Sequence, residues 1–227
     1  MSSAGDDPTT PDPQHLAAMR RSYERGGLQE ADLAPTWSAM LRRWLADAEA
    51  GGIGEPNAMV VATVDADGRP SVRTVLLKGL DEQGLTFFTN YDSAKGRDLA
   101  VNPIASVLFP WIDLQRQVRL TGPVRKLDDA ASDAYFASRP YGSRIGAAAS
   151  PQSEVIPDRA FLEAAERALA ERYPDPPGDV PRPPHWGGYV VEPDAVEFWQ
   201  GRANRLHDRL RYRRTDDGAW VTERLAP

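Results

Sequence analysis

Cysteine is absent from this chain, which rules out a disulfide framework, a thiolate metal site and a cysteine nucleophile. Histidine is scarce. His15 lies near the N-terminus, His185 in a proline-rich stretch, and only His207 falls in a dense polar cluster. That spread argues against a three-histidine centre, and no metal is expected. Long hydrophobic runs are also missing, since the longest candidates, such as residues 58–64, are strand-sized beside the roughly 20 residues of a membrane-spanning helix. The N-terminus, MSSAGDDPTTPDPQ, lacks the basic-then-apolar order of a secretion signal, and residues 1–14 are expected to form a mobile tail. A basic excess is lacking too: the net charge of −6 argues against sequence-independent nucleic-acid binding. These absences lead us to expect a cytoplasmic protein with neither a nucleic-acid nor a membrane partner. There is no Gly-rich phosphate loop ending in Lys-Ser, no G-x-S-x-G elbow and no H-E-x-x-H helix.

With 41% hydrophobic and 26% charged residues, the composition is that of a globular protein, and residues 15–227 are expected to form one domain. A first helix is expected over residues 15–25, with Leu16, Met19 and Tyr23 at helical spacing and Gly26-Gly27 ending it. Thr36 can cap a second helix, whose apolar face is Trp37, Met40, Leu41, Trp44, Leu45 and Ala48. From Ala58 the pattern becomes a meander of short strands: AMVVATV, SVRTVLLKG, LTFFTN, ASVLFPW and QRQVRLTGPVRKL, with DADG and DEQG turns and a short helix over residues 93–101. Helices are expected again over 128–138 and 158–173, each opened by an aspartate. PDPPGDVPRPP cannot be helical. WGGYVVEP, AVEFWQG, LHDRLRYRR and AWVTERLAP read as closing strands. The fold class is therefore mainly β with flanking helices, a barrel or sandwich.

Two stretches are chemically unusual. Between Arg73 and Lys78 a Val/Leu strand carries a cation at each end, with Arg73, Val75 and Leu77 facing one way and Lys78 the other. Residues 197–209, EFWQGRANRLHDR, crowd aromatics, an amide, arginines and a histidine together. Strand alternation would place Arg205, His207 and Arg209 on one cationic face suited to an anion or a π-system. Solvated charges on an edge strand, and a solvent-facing arginine stripe with His207 paired to an acid, are the plainer readings of the two stretches.

EFWQG, NRLHDR and the terminal ERLAP resemble the C-terminal signature of the pyridoxamine-phosphate oxidase family. RRSYERGGL, AMVVATVDADGRP, RTVLLKG, FFTNYDSAKG, LFPW, RQVRLTGPV, YFASRP, IGAAASPQS and HWGGY resemble that family in the same order, over nearly the whole chain. The resemblance implies an FMN-binding split β-barrel and a homodimer with FMN in the cleft between subunits. The implied reaction converts pyridoxine or pyridoxamine 5′-phosphate to pyridoxal 5′-phosphate with O2, yielding H2O2. Carried over position by position, the FMN contacts are Arg73, Thr74, Val75, Leu76, Leu77 and Lys78, then Phe88, Thr89, Lys95, Gln117, Gln152, Ser153, Trp199 and Arg209. Arg73 and Lys95 suit the dianionic phosphate, and Gln117 and Trp199 suit the ring end. Lys78, Tyr135, Arg139 and Ser143 match the holders of the substrate 5′-phosphate. Arg205 and His207 match residues against the pyridine ring and are the catalytic candidates, for positioning and proton management. Arg20 and Tyr23 match a segment that closes over the site.

Three positions depart from the family pattern. Ala94 replaces an arginine expected at the FMN phosphate, with Arg97 as a candidate substitute three residues on. Phe88 stands where tyrosine is common, and Arg144 where glutamine is usual. Two other readings stay open: a deazaflavin-dependent reductase of the same fold, against which the NRLHDR block counts, and a non-catalytic flavin or pyridoxal-phosphate binder.

Overall fold

The computed structural model describes residues 13–19 and 21–227, with side chains from His15 onward. Expectations for residues 1–12 of the tail, and for Arg20, lie outside the described residues. The first helix, α1 (Pro13–Ala18), is shorter than expected, and the chain is non-helical from residue 21 to residue 29. Leu16 and Met19 are 55% and 65% exposed, so their apolar face stays largely uncovered, and a short helix with so little packing is marginal.

The second helix, α2 (Trp37–Ala50), is the expected one, with the Thr36 hydroxyl accepting the Ala39 N–H at 3.2 Å. It buries Trp37, Met40, Leu41, Trp44 and Ala48, and Trp44 meets Phe198 edge-on at 5.1 Å. The meander follows as β1 (Ala58–Val64), β2 (Pro70–Leu76), β3 (Gly79–Leu80) and β4 (Leu85–Asn90). Next come α3 (Ala94–Val101), β5 (Ile104–Trp111) and β6 (Arg116–Lys126). Asp128 and Asp158 cap α4 (Asp129–Ser138) and α6 (Arg159–Arg172) as expected. Between them lies an unforeseen helix, α5 (Tyr141–Ala149). Strands β7 (Trp186–Val191), β8 (Ala195–Gln200), β9 (Asp208–Arg214) and β10 (Trp220–Arg224) close the sheet. Among the described residues, no helix is long and apolar enough to cross a membrane.

All pairings are antiparallel, in the order β10-β9-β8-β6-β5-β1-β2, with β6 also pairing β7, β7 pairing β4 and β4 pairing β3. The long strand β6 divides the sheet. Arg116–Thr121 pair with β8, whereas Val124–Lys126 pair with β7, so the sheet curls into a half-barrel around the core. Gly122 sits at the changeover. A Cβ there would lie 1.9 Å from the Glu192 carbonyl oxygen, so only glycine lets the two backbones approach. Inside the curl, Val118, Leu120, Phe109, Phe198 and Met59 pack against the apolar face of α2. A second cluster of Phe136, Ile145, Val180 and Trp186 ties α4 and α5 to β7.

Replacing Gly122 with alanine forces apart two backbones that cannot move independently. We expect a loss of about 1–3 kcal/mol in denaturant unfolding, the usual cost of overpacking. An unchanged unfolding midpoint would show that the close approach at the changeover does not constrain the fold.

Candidate active site

A cavity of about 760 Å³ opens between β2, β4, the N-terminus of α3, and the α4–α5 pair. Most of the expected residues meet there. From β2 and just beyond it come Arg73, Thr74, Val75, Leu76 and Lys78, and from β4 come Phe88 and Thr89. Lys95, Tyr135, Arg139, Ser143, Gln152 and Ser153 join them. Within the 73–78 stretch the side chain of Leu77 is the exception, since it is buried in the core. Ala94, the departure from the family pattern, lines the cavity too, and so do Asn90, Gly146, Ala147, Ser150 and Trp186, which were not singled out. Helix α5 brings Ser143, Gly146, Ala147 and Ser150 to one side by helical spacing, while Ile145 faces the second core cluster.

The charge of this cavity is one-sided. Arg73, Lys78, Lys95 and Arg139 line it, and among the described residues no carboxylate does. Lys95 is only 8% exposed, and its ammonium donates to Thr89 Oγ1 at 3.0 Å, Ser93 Oγ at 3.2 Å and Gln152 Oε1 at 3.0 Å. Those neutral oxygens solvate the charge without cancelling it. Burial, with the positive charge of Arg73 adding to it, lowers the Lys95 pKa from the ordinary lysine value to about 8. Arg73 donates to Thr63 Oγ1 and Ser71 Oγ, each at 2.5 Å, and lies 3.7 Å from Asp98. Asp98, behind the cavity wall, is thus the nearest counter-charge to both cations.

The other cationic group rests on an aromatic wall. Phe88 and Tyr135 stack at 3.7 Å, Trp186 continues the stack 5.5 Å from Phe88, and the Arg139 guanidinium lies 4.8 Å from the Trp186 ring centre. Arg139 Nη1 is buried without a hydrogen-bond partner among the described residues. Burial lowers the Arg139 pKa and raises that of the Tyr135 phenol. Phe88 needs no hydroxyl for this stacking role.

A second, smaller pocket of about 360 Å³ holds Tyr23, Gln117, Trp199, Arg205 and His207, together with Arg202 and Asn204. It shares no residue with the first. Trp199 on β8 is four strand steps from β2, roughly 19 Å at ordinary strand spacing. Its rings are mutually packed: Trp199 lies 4.6 Å from His207, and Tyr23 lies 6.0 Å from Trp199 and 5.8 Å from His207. The Arg202 N–H donates to His207 Nδ1 at 3.1 Å, so a neutral His207 carries its proton on Nε2.

Several expectations need correction. Arg205, His207 and Arg209 do not share a strand face, because β9 begins only at Asp208. Asn204 and Arg205 both adopt left-handed backbone angles, with φ of 56° and 63°, in the turn Ala203–Arg205, and strand alternation cannot pass through such a turn. Arg209 lines neither pocket and instead pairs with Glu197 at 2.7 Å, a carboxylate that Arg119 also reaches at 2.6 Å. Arg97, the candidate substitute for the arginine missing at Ala94, does not line the cavity and is drawn to Glu154 at 2.8 Å and to the Asp92 carbonyl at 2.5 Å. Arg144 is half-buried, and its Nε has no partner among the described residues.

Comparison with known proteins agrees with this geometry. Residues 45–172 match the family described as pyridoxamine 5′-phosphate oxidase. The chain belongs to that family. Residues 186–227 match the pyridoxine 5′-phosphate oxidase C-terminal dimerisation region. Pyridoxine/pyridoxamine 5′-phosphate oxidase from Burkholderia multivorans is 59% identical over 216 residues, covering 93% of this chain and 99% of the relative. The protein of that name from Salinispora arenicola is 57% identical over 212 residues, covering 93% and 96%. Among solved structures, PhzG from Burkholderia lata in complex with tetrahydrophenazine-1-carboxylic acid aligns with a TM-score of 0.81 at 34% identity, covering 88% of this chain and 98% of that one. An FMN-binding protein from Nostoc punctiforme shares the split-barrel fold, with a TM-score of 0.68 at 23% identity and coverage of 86% and 99%.

The depressed pKa of Lys95 carries a pH signature. Between about pH 8 and the ordinary lysine value the unfolded chain binds more protons than the folded one, so this group makes stability rise with pH across that window. The stability advantage of a Lys95→Met variant over the wild type should therefore shrink as pH rises from 7.5 to 10. A difference that stays constant in denaturant titrations would mean that Lys95 is not desolvated.

Proposed function

We propose that the chain binds FMN between two copies of itself and oxidises pyridoxamine or pyridoxine 5′-phosphate to pyridoxal 5′-phosphate, with O2 as final acceptor and H2O2 as by-product. One observation carries this reading: among the described residues, four cations and no carboxylate line a single cavity. Two phosphate dianions would balance that charge. Arg73 and Lys95, reinforced by the N-terminus of α3, suit the FMN phosphate. Lys78, Tyr135, Arg139 and Ser143 suit the substrate phosphate, and the unpartnered Arg139 Nη1 is a donor in need of an oxygen acceptor.

The ring-end residues Gln117 and Trp199, and the catalytic candidates Arg205 and His207, occupy the second pocket, which shares no residue with the first. A second copy could bring its second pocket to the first pocket of its partner. The matched dimerisation region, which includes Trp199, Arg205 and His207, supports that arrangement. FMN, when bound, supplies the two-electron acceptor that side chains lack and passes the electrons to O2. The chain's own part is to bind, orient and shield. Arg139, Lys78 and Ser143 anchor the phosphate and fix the substrate's reach, the ring cluster of Tyr23, Trp199 and His207 excludes water, and Arg205 with His207 Nε2 meets the polar edge of the pyridine.

PhzG, whose crystal structure holds a carboxylic acid, raises a second reading in which this chain oxidises a non-phosphorylated ring acid. The cavity charge weighs against it, since FMN plus one carboxylate leaves positive charge unmatched. The relatives named as B6-phosphate oxidases are also more similar, at 57–59% identity against 34%.

The test is peroxide release from the FMN-loaded protein with pyridoxamine 5′-phosphate and with pyridoxamine. Phosphate-dependent turnover is expected, and an Arg139→Ala variant should lose about 10²-fold in kcat/KM, as for a lost charge-assisted phosphate contact. Mixing inactive Lys95→Ala and His207→Ala proteins, followed by subunit exchange, should restore activity, because a mixed dimer contains one intact composite site. Equal rates with and without the substrate phosphate, or no restoration on mixing, would contradict the reading.

A further inference from the structure

The segment leading into α2 carries Tyr23 onto Trp199 and His207, yet residues 21–27 have little packing of their own, and every one but Tyr23 is exposed. What holds the segment is a polar strap centred on Asp208, a residue so far without a role. Its Oδ2 accepts the Leu28 N–H at 3.0 Å, and its Oδ1 pairs with Arg224 at 2.8 Å. Arg224 in turn donates to the Leu28 carbonyl at 3.1 Å and to both oxygens of Glu30, at 2.7 and 3.0 Å. Arg202 closes the ring, 3.6 Å from Asp208 Oδ2 and 3.3 Å from the Gly26 carbonyl it donates to.

The same strap reaches the reacting end of the second pocket. Arg202, which Asp208 holds by its guanidinium, is the residue whose backbone N–H fixes His207 Nδ1. The Arg202 guanidinium lies so close to Gly27 that a Cβ there would fall 2.0 Å from Nη1, and a Cβ on Gly201 would meet the Tyr23 ring at 2.9 Å. The N-terminal segment, the 201–208 loop and the C-terminal strand β10 therefore close on one another around the Asp208 carboxylate, whose side chain is 19% exposed, with Glu30 as a second acid on Arg224. Leu28, 3% exposed, is the apolar pin beside it.

We propose that Asp208 is a positioning residue for the reaction: by strapping Leu28, Arg202 and Arg224 together it holds Tyr23 against Trp199 and His207 and fixes His207 in its turn. Asp208 lines neither of the two pockets described above and acts through these partners. The kinetic consequence rests on the oxidase reading above, whereas the strap itself does not.

The experiment compares FMN-loaded wild type with Asp208→Asn, Asp208→Glu and Tyr23→Ala. Trypsin cleavage after Arg21 and Arg25 should accelerate in Asp208→Asn, and KM for pyridoxamine 5′-phosphate should rise on the order of tenfold with a much smaller change in kcat, the size expected of one lost charge-assisted hydrogen bond. FMN affinity should be unchanged. Adding Tyr23→Ala to Asp208→Asn should cost little more than either change alone, and Asp208→Glu should recover part of the loss. Cleavage no faster than wild type would overturn the strap. Faster cleavage with an unchanged KM, or fully additive effects with Tyr23→Ala, would overturn the positioning role. Wild-type protein inert toward the phosphorylated amine would remove the oxidase reading, and the cleavage rates would still decide the strap.

Discussion

The ammonium of Lys95 is buried among neutral oxygens with no carboxylate in contact, and the organisation of the site follows from that placement. A lone buried cation is costly, and its pKa falls to about 8 as a result. Among the described residues the surrounding fold sets no acid against it, and Asp98 offsets the cost only in part. Asp98, the nearest one, is committed to Thr63 at 2.5 Å and Ser71 at 3.2 Å behind Arg73. Instead the chain adds three more cations to the same cavity. An arrangement so unfavourable to the protein alone has an ordinary explanation in a ligand of high negative charge, since each phosphate dianion replaces repulsion with charge-assisted hydrogen bonds.

The curled sheet turns that charge into a site. Because β6 serves two sheet directions, β4 and β7 fold over one end and present Thr89, Phe88 and Trp186 to β2, while β8 and β9 carry Trp199 and the His207 turn to the other end. Gly122 permits the changeover, and α2 fills the concave side with Trp37, Met40, Leu41 and Trp44. One chain thus carries two separate pockets, and the strap at Asp208 lends order to the one with the least packing.

Much of this was legible in the sequence, for physical reasons that differ by element. Helix α2 declared itself through Thr36 and six apolar residues on one face, and β1 through a short β-rich apolar run closed by the DADG turn. Helix α5 was hidden because YGSRIGAAAS is rich in glycine and small residues, with only Tyr141, Ile145 and Ala148 to mark a face. The helix over 15–25 failed because periodicity alone does not supply a packing partner. At the site, strand geometry put Arg73, Val75 and Leu77 on one face and Lys78 on the other, but β2 ends at Leu76, Leu77 turns into the core, and Arg73 and Lys78 line the same cavity. The alternation of Arg205, His207 and Arg209 also fails, since nothing in the residue types announces that Asn204 and Arg205 turn left-handed. The capture of Arg97 by Glu154 joins residues 57 positions apart, which local spacing cannot show. The grouping of the cations from β2, α3 and α4–α5 came from the family resemblance rather than from the periodicity of any one element.

The most direct test of the account compares FMN with riboflavin, which shares the ring system and lacks the phosphate, by quenching of flavin fluorescence on titration with the protein. The account predicts tight binding of FMN, binding of riboflavin weaker by two orders of magnitude or more (roughly 3 kcal/mol), and loss of that discrimination in a Lys95→Met variant. Equal affinities for the two flavins, or discrimination that survives the loss of Lys95, would contradict it.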